Sequence, residues 1–141
     1  RAIEIKIILK EKNKKEIINQ LIKLYNIKTV LDPEFSKLTP GNFLKFNYIS
    51  KEYDISENSE FIDNLSLLLN LFKKNKDTLF IDMIFYLANF YFKSLKNKNI
   101  AKDDRILELK TFILDNLDKY LKFNLNHNSL INAINSKINH A

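Results

Sequence analysis

The sequence predicts a mainly α-helical chain, and three observations carry that expectation. Apolar residues recur at three- and four-residue spacing through most of its 141 residues. One glycine and two prolines leave little to interrupt those runs. Alternation, the mark of a half-buried strand, is read at the N-terminus, where Ile3, Ile5 and Ile7 are separated by Glu4 and Lys6 ahead of Ile8 and Leu9. The expected architecture is therefore a short N-terminal β-strand over 1–9, a small three-helix, lid-like subdomain over 10–55, and a C-terminal helical bundle over 60–141.

The strand cannot stand by itself: either it pads a helical domain or its sheet lies upstream. The opening Arg1, in place of Met, reads as the start of a fragment. From Lys14 a helix is expected, its apolar stripe made by Ile17, Ile18, Leu21, Ile22 and Tyr25, with Asn13 as its cap and its end near Asn26. Between Ile27 and Leu38 the pattern is ambiguous. Asp32 can cap a short helix with Pro33 at its first position, giving Glu34, Phe35 and Leu38 a turn or two.

The turn Thr39, Pro40, Gly41 and Asn42 then breaks the chain, because Pro40 restricts Thr39 and Gly41 can adopt backbone angles that other residues avoid. A helix can restart at once through Phe43, Leu44, Phe46, Asn47 and Tyr48, with Thr39 or the turn at its cap. The polar run from Asp54 to Glu60 is the clearest linker, and the hydrophobic pattern changes style after it.

Four further helices are expected, at Glu60 to Phe72, Asp77 to Lys96, Asp103 to Leu121 and His127 to Ile138. The second is strongly aromatic. Phe80, Ile84, Leu87 and Tyr91 fall on one stripe, and Met83, Phe85, Phe90 and Phe92 widen it, so this helix should be buried between neighbours. The third carries Ile106, Leu109, Ile113, Leu117 and Tyr120 at helical spacing, with Asp103 answering the positive end of its dipole. In the fourth, Leu130, Ala133 or Ile134, and Ile138 make the stripe. Short connections between four such helices close a bundle.

Composition excludes several classes of chemistry. No cysteine is present, which removes disulfides, thiolate metal sites and thiol nucleophiles, and leaves the cytosol as the default compartment. A single glycine cannot build a phosphate-cradling loop, which needs several unobstructed backbone N–H groups. The most apolar run, Leu79 to Phe92, is shorter than a membrane span and contains Asp82 and Asn89, so no membrane contact is expected. Asp103, Asp104 and Glu108 lie about one helical turn apart and could in principle hold a divalent ion, although helix-start acids are the commoner meaning. His127 sits in a polar run, Asn124 to Ser129, that reads as turn and cap rather than as a catalytic centre. His140 reads as part of a frayed end. No metal or cofactor site is expected.

The net charge is +6, carried by 23 basic against 17 acidic residues, and it is unevenly spread. Residues 1–30 hold eight Lys/Arg against three Glu, residues 31–70 three against seven acids, and residues 71–100 six against two. A basic face could meet nucleic acid. Yet only two of the basic residues are arginine, and abundant Lys, Asn and Ile fit an AT-rich coding bias, so solvated lysines are the plainer reading. The aromatic row of the second bundle helix matches core packing better than a base-stacking platform.

Three segments carry a resemblance that spacing alone does not. Arg1-Ala2-Ile3-Glu4-Ile5-Lys6-Ile7, Lys37-Leu38-Thr39-Pro40-Gly41-Asn42-Phe43-Leu44-Lys45-Phe46, and Leu121-Lys122-Phe123-Asn124-Leu125-Asn126-His127-Asn128-Ser129-Leu130-Ile131 follow one another in the order and spacing of the C-terminal part of the delta-prime subunits of the bacterial DNA polymerase III clamp loader. The first resembles the strand after that family's Ser-Arg-Cys motif, with Arg1 on the arginine and Ala2 where cysteine is usual. The second resembles the lid segment in which a small residue, Pro or Glu, and Gly precede a leucine-bearing helix. The third is similar to the family's last collar turn and helix.

The resemblance implies that residues 1–9 end a truncated AAA+ module, 10–55 form the lid and 60–141 the collar. It implies a non-hydrolysing subunit that helps hold a pentameric ring together during loading of the sliding clamp onto DNA. Arg1 would be an arginine finger reaching the ATP of a neighbouring subunit, where a fixed guanidinium fork suits charge growing on phosphate oxygens. Partners would be the ATPase subunit and delta, with the clamp and primed DNA met through the assembled ring in the cytoplasm. Phe80, Ile84, Leu87, Tyr91, Ile113, Leu117, Leu130 and Ile134 are the expected collar packing and interface residues. The alternatives are a basic helical nucleic-acid-binding module and a helical host- or protein-interaction domain.

Overall fold

The computed structural model describes residues 9–31, 38–56, 59–97 and 103–139. Six helices and no strand occur among the described residues. The expected strand, apart from Leu9, lies outside them, as do the short helix expected from Pro33, Arg1 and His140. The chain divides into two compact units, Arg1–Ser56 and Glu57–Ala141, and the boundary falls inside the 54–60 polar run.

The first unit contains α1 (Glu11–Leu24) and α2 (Pro40–Glu52), which pack on each other. Helix α1 begins three residues ahead of the expected start at Lys14, and Lys10 rather than Asn13 is its N-cap, with no side-chain hydrogen bond. The correction has a local cause. Glu11 answers the helix dipole and pairs with Lys14 at 2.7 Å, so the first turn is stabilised without an asparagine cap.

Both helices end in the same way. After the C-caps Tyr25 and Tyr53, Asn26 (φ 48) and Asp54 (φ 53) take left-handed backbone angles. The next N–H then returns to the helix: Ile27 donates to the Ile22 carbonyl at 3.0 Å and Ile55 to the Ser50 carbonyl at 2.9 Å. Ile55 is thereby folded into the core with Phe43, Phe46, Ile49, Ile18 and Leu31. Burying a side chain of this size contributes about 1.5–3 kcal/mol.

The second unit contains α3 (Phe61–Asn75), α4 (Leu79–Asn97), α5 (Asp103–Phe123) and α6 (His127–Asn139). Helix α3 packs on α4 and α6, and α5 packs on the same two, so the four close a ring around one core. Leu65, Leu68 and Leu69 of α3, Met83 and Ile84 of α4, Ile113 and Leu117 of α5 and Ile134 of α6 are fully enclosed. Asp77 starts α4 by accepting the Leu79 N–H at 2.9 Å, and Asn126 starts α6 by accepting the Ser129 N–H at 3.1 Å. No helix among the described residues is long and apolar enough to cross a membrane.

Candidate functional site

Thr39, Pro40 and Gly41 do not form a chain-breaking turn. Thr39 is the N-cap of α2, its hydroxyl accepting the Asn42 N–H at 3.3 Å, and Pro40 and Gly41 are the first two helical residues. Proline fits there because the first helical N–H has no partner within the helix. Gly41 has no left-handed angle, and a Cβ on it would meet nothing within 4 Å, so its conformational freedom is unused.

The eight expected collar residues are core residues of the second unit. Phe80, Ile84, Leu87, Ile113, Leu117, Leu130 and Ile134 are buried, and Tyr91 is half-buried, its ring stacked on Phe61 with centroids 5.1 Å apart and planes 11° from parallel. Burial pushes the Tyr91 phenol above its ordinary value, so it stays protonated. The packing expected of these side chains is what the unit shows. The unit's own helices enclose the seven buried ones, and Tyr91 keeps part of its ring at the surface.

The acidic and histidine candidates separate as well. Asp104 and Glu108 are exposed on α5, and the Glu108 carboxylate is held by Lys137 of α6 at 2.6 Å. That hydrogen bond and charge keep Glu108 below the usual carboxylate range. Lys137 also lies 5.8 Å above the Phe112 ring, so one lysine pins α5 to α6 through charge and aromatic face together. No group of three or more His, Asp or Glu suited to a metal ion occurs among the described residues.

His127 stands at the first position of α6 beside a polar hollow of about 370 Å³, with Asn70, Lys73, Tyr120, Asn124 and Asn128 around it. Burial, and after it the Lys73 ammonium, lower the His127 pKa from its usual value, so the imidazole is neutral at pH 7. Its Nδ1 is enclosed and accepts no hydrogen bond. No carboxylate lines the hollow among the described residues.

Apolar surface instead marks what the second unit offers to others. Phe123 is 70 % exposed and Leu125 42 % exposed, and both lie in the corner between α5 and α6, where Asn124 (φ 49) reverses the chain. Leu107 and Leu121 add exposed apolar surface along α5 itself. The corner falls inside Leu121-Ile131, the third segment of the resemblance. Sequence reasoning passed over these four side chains because they lie off the buried stripe that periodicity detects. The signal that finds them is the complement: large apolar residues on the polar side of an amphipathic helix.

Fold and surface together define a two-unit chain, helical in all the regular structure of its described residues, with an exposed apolar corner between α5 and α6. A scan against protein-family models, a search of curated proteins and a search of solved structures each found no significant match.

Proposed function

We propose that the chain is a non-catalytic assembly subunit, and more particularly that it serves as the lid and collar part of a delta-prime-like subunit of a bacterial clamp loader. The observation that carries the assembly reading is the exposed Phe123 and Leu125 pair at the corner of α5 and α6. Two large apolar side chains left in water on a closed bundle are what a collar presents to a sister chain. The clamp-loader form of the reading rests on the three resembling segments, the last of which contains that corner. Under it the protein binds no nucleotide through these residues, and Arg1 acts on ATP held by a neighbouring ATPase subunit.

The test is reconstitution. The protein is mixed with the clamp-loader ATPase subunit and delta of the same organism, the ring is isolated, and DNA- and clamp-stimulated ATP hydrolysis is compared for wild type and Arg1→Ala. An intact ring with hydrolysis reduced by about 10³-fold or more supports the arginine finger. An intact ring with unchanged turnover removes it, and failure of any ring to form removes the clamp-loader reading.

A further inference from the structure

The polar hollow beside His127 holds two buried polar groups that neither the core nor the apolar corner explains. Three helices build it: α3 supplies Asn70 and Lys73, α5 supplies Tyr120, and α6 with the residues ahead of it supplies Asn124, His127 and Asn128. Tyr120 is only 6 % exposed, and its hydroxyl makes no hydrogen bond among the described residues. The enclosed Nδ1 of His127 makes none either. Buried polar groups of folded proteins nearly always have a partner, so two left open on one hollow point to an occupant.

The wall favours an anion. Lys73 brings an ammonium, and no carboxylate lines the hollow among the described residues. Helix α6 starts at its edge, where the N–H groups of His127 and Asn128 have no acceptor within the helix. Those of Ser129 and Leu130 are already taken, by the side chain and the carbonyl of Asn126. Open N–H groups at the positive end of a helix dipole suit a phosphate. Burial keeps the Tyr120 phenol protonated, so it donates as well. At about 370 Å³ the hollow lies within the range of small-molecule sites and has room for a phosphate with an organic body. The rest of its wall is rich in asparagine amides, which both donate and accept, as a body bearing hydroxyl groups requires.

We propose that this hollow binds a small phosphate monoester with a hydroxyl-bearing body. Lys73, the Tyr120 hydroxyl and the first N–H groups of α6 hold the phosphate, and Asn70, Asn124 and Asn128 take the body. This goes beyond the clamp-loader reading and does not depend on it.

Amide-resolved NMR of the whole chain tests it. The probes are glycerol phosphate, inorganic phosphate, glycerol, a single-stranded oligonucleotide and, at matched ionic strength, sodium chloride. Expected are saturable shifts of the His127 and Asn128 amides with glycerol phosphate, at a dissociation constant below about 1 mM. Inorganic phosphate should bind more weakly, and glycerol and chloride should leave both amides unmoved. Lys73→Ala, at an exposed position, should weaken binding about tenfold and Lys73→Arg far less, with circular dichroism confirming the fold. Tyr120→Phe should weaken it about threefold. The His127 ring supplies a second readout, since Lys73 and Tyr120 are the other titratable side chains on the wall and neither is an acid. Its titration midpoint, held low by burial and by Lys73, should rise when a phosphate dianion is bound. Absence of any saturable shift up to about 10 mM glycerol phosphate overturns the proposal. So do shifts that sodium chloride reproduces, binding indifferent to Lys73→Ala, or inorganic phosphate binding as tightly as its glycerol ester. Occupation by the oligonucleotide alone, whose phosphates are diesters, also overturns it.

Discussion

The side-chain oxygen of Asn47 accepts the backbone N–H of Val30 at 2.7 Å, tying the middle of α2 to the segment that follows α1. The same oxygen takes the Leu31 N–H at 3.3 Å, and the Asn47 amide donates to the Lys28 carbonyl at 3.1 Å. One buried amide thus satisfies three backbone groups of an irregular stretch and lets Leu31 enter the core. Asn47→Ala leaves all three without this partner and should destabilise the first unit by about 3 kcal/mol. Urea denaturation measures the loss, and hydrogen exchange at Val30 should show its amide released first.

Glycine and the left-handed positions are mismatched in this chain, so two substitutions of opposite kind are both expected to stabilise it. Asp54→Gly relieves a φ of 53 at the end of α2 and should stabilise by about 1 kcal/mol. Gly41→Ala, at a helical position with open space around the Cβ, should stabilise by about 0.5 kcal/mol. Both shifts are read from denaturant midpoints at unchanged slope.

Thr39→Ala removes the acceptor for the Asn42 N–H at the start of α2. A loss of about 1 kcal/mol is expected, with Thr39→Ser close to wild type. Thermal melts of the two variants side by side distinguish a lost cap from a lost methyl group.

His127 gives the second unit an acid-side pH dependence. Its folded pKa is depressed, so the unfolded chain takes up the proton first as pH falls through about 6.5. Above that value the group has no effect on stability. Below it stability declines, until the folded form is protonated too. Melting temperature measured from pH 8 to pH 5 should therefore fall more for wild type than for His127→Gln, whose profile over that range lacks this component.

The bundle was legible because burial and periodicity are the same physical fact. Phe80, Ile84 and Leu87, or Leu109, Ile113 and Leu117, repeat at helical spacing because one face of each helix is hidden, and the structure buries those faces. The same periodicity cannot tell a helix's own core from a partner's. Boundaries were less legible. Lysine and glutamate favour helix intrinsically, so α1 could start ahead of Asn13, and Pro40 with Gly41 looked like a break although the first helical turn tolerates both. The role of Asn47 had no signal at all, since one asparagine in an apolar run looks the same whether it faces water or clamps a loop.

The most direct test of the assembly role is light scattering on a gel-filtration column, with the protein mixed with the clamp-loader ATPase subunit and delta. Wild type should co-elute in a complex of ring mass, and Phe123→Asp with Leu125→Asp should elute alone with unchanged helicity, because both side chains stand largely in water in the free chain. Separate elution of wild type, or a complex that tolerates two aspartates at that corner, would contradict it.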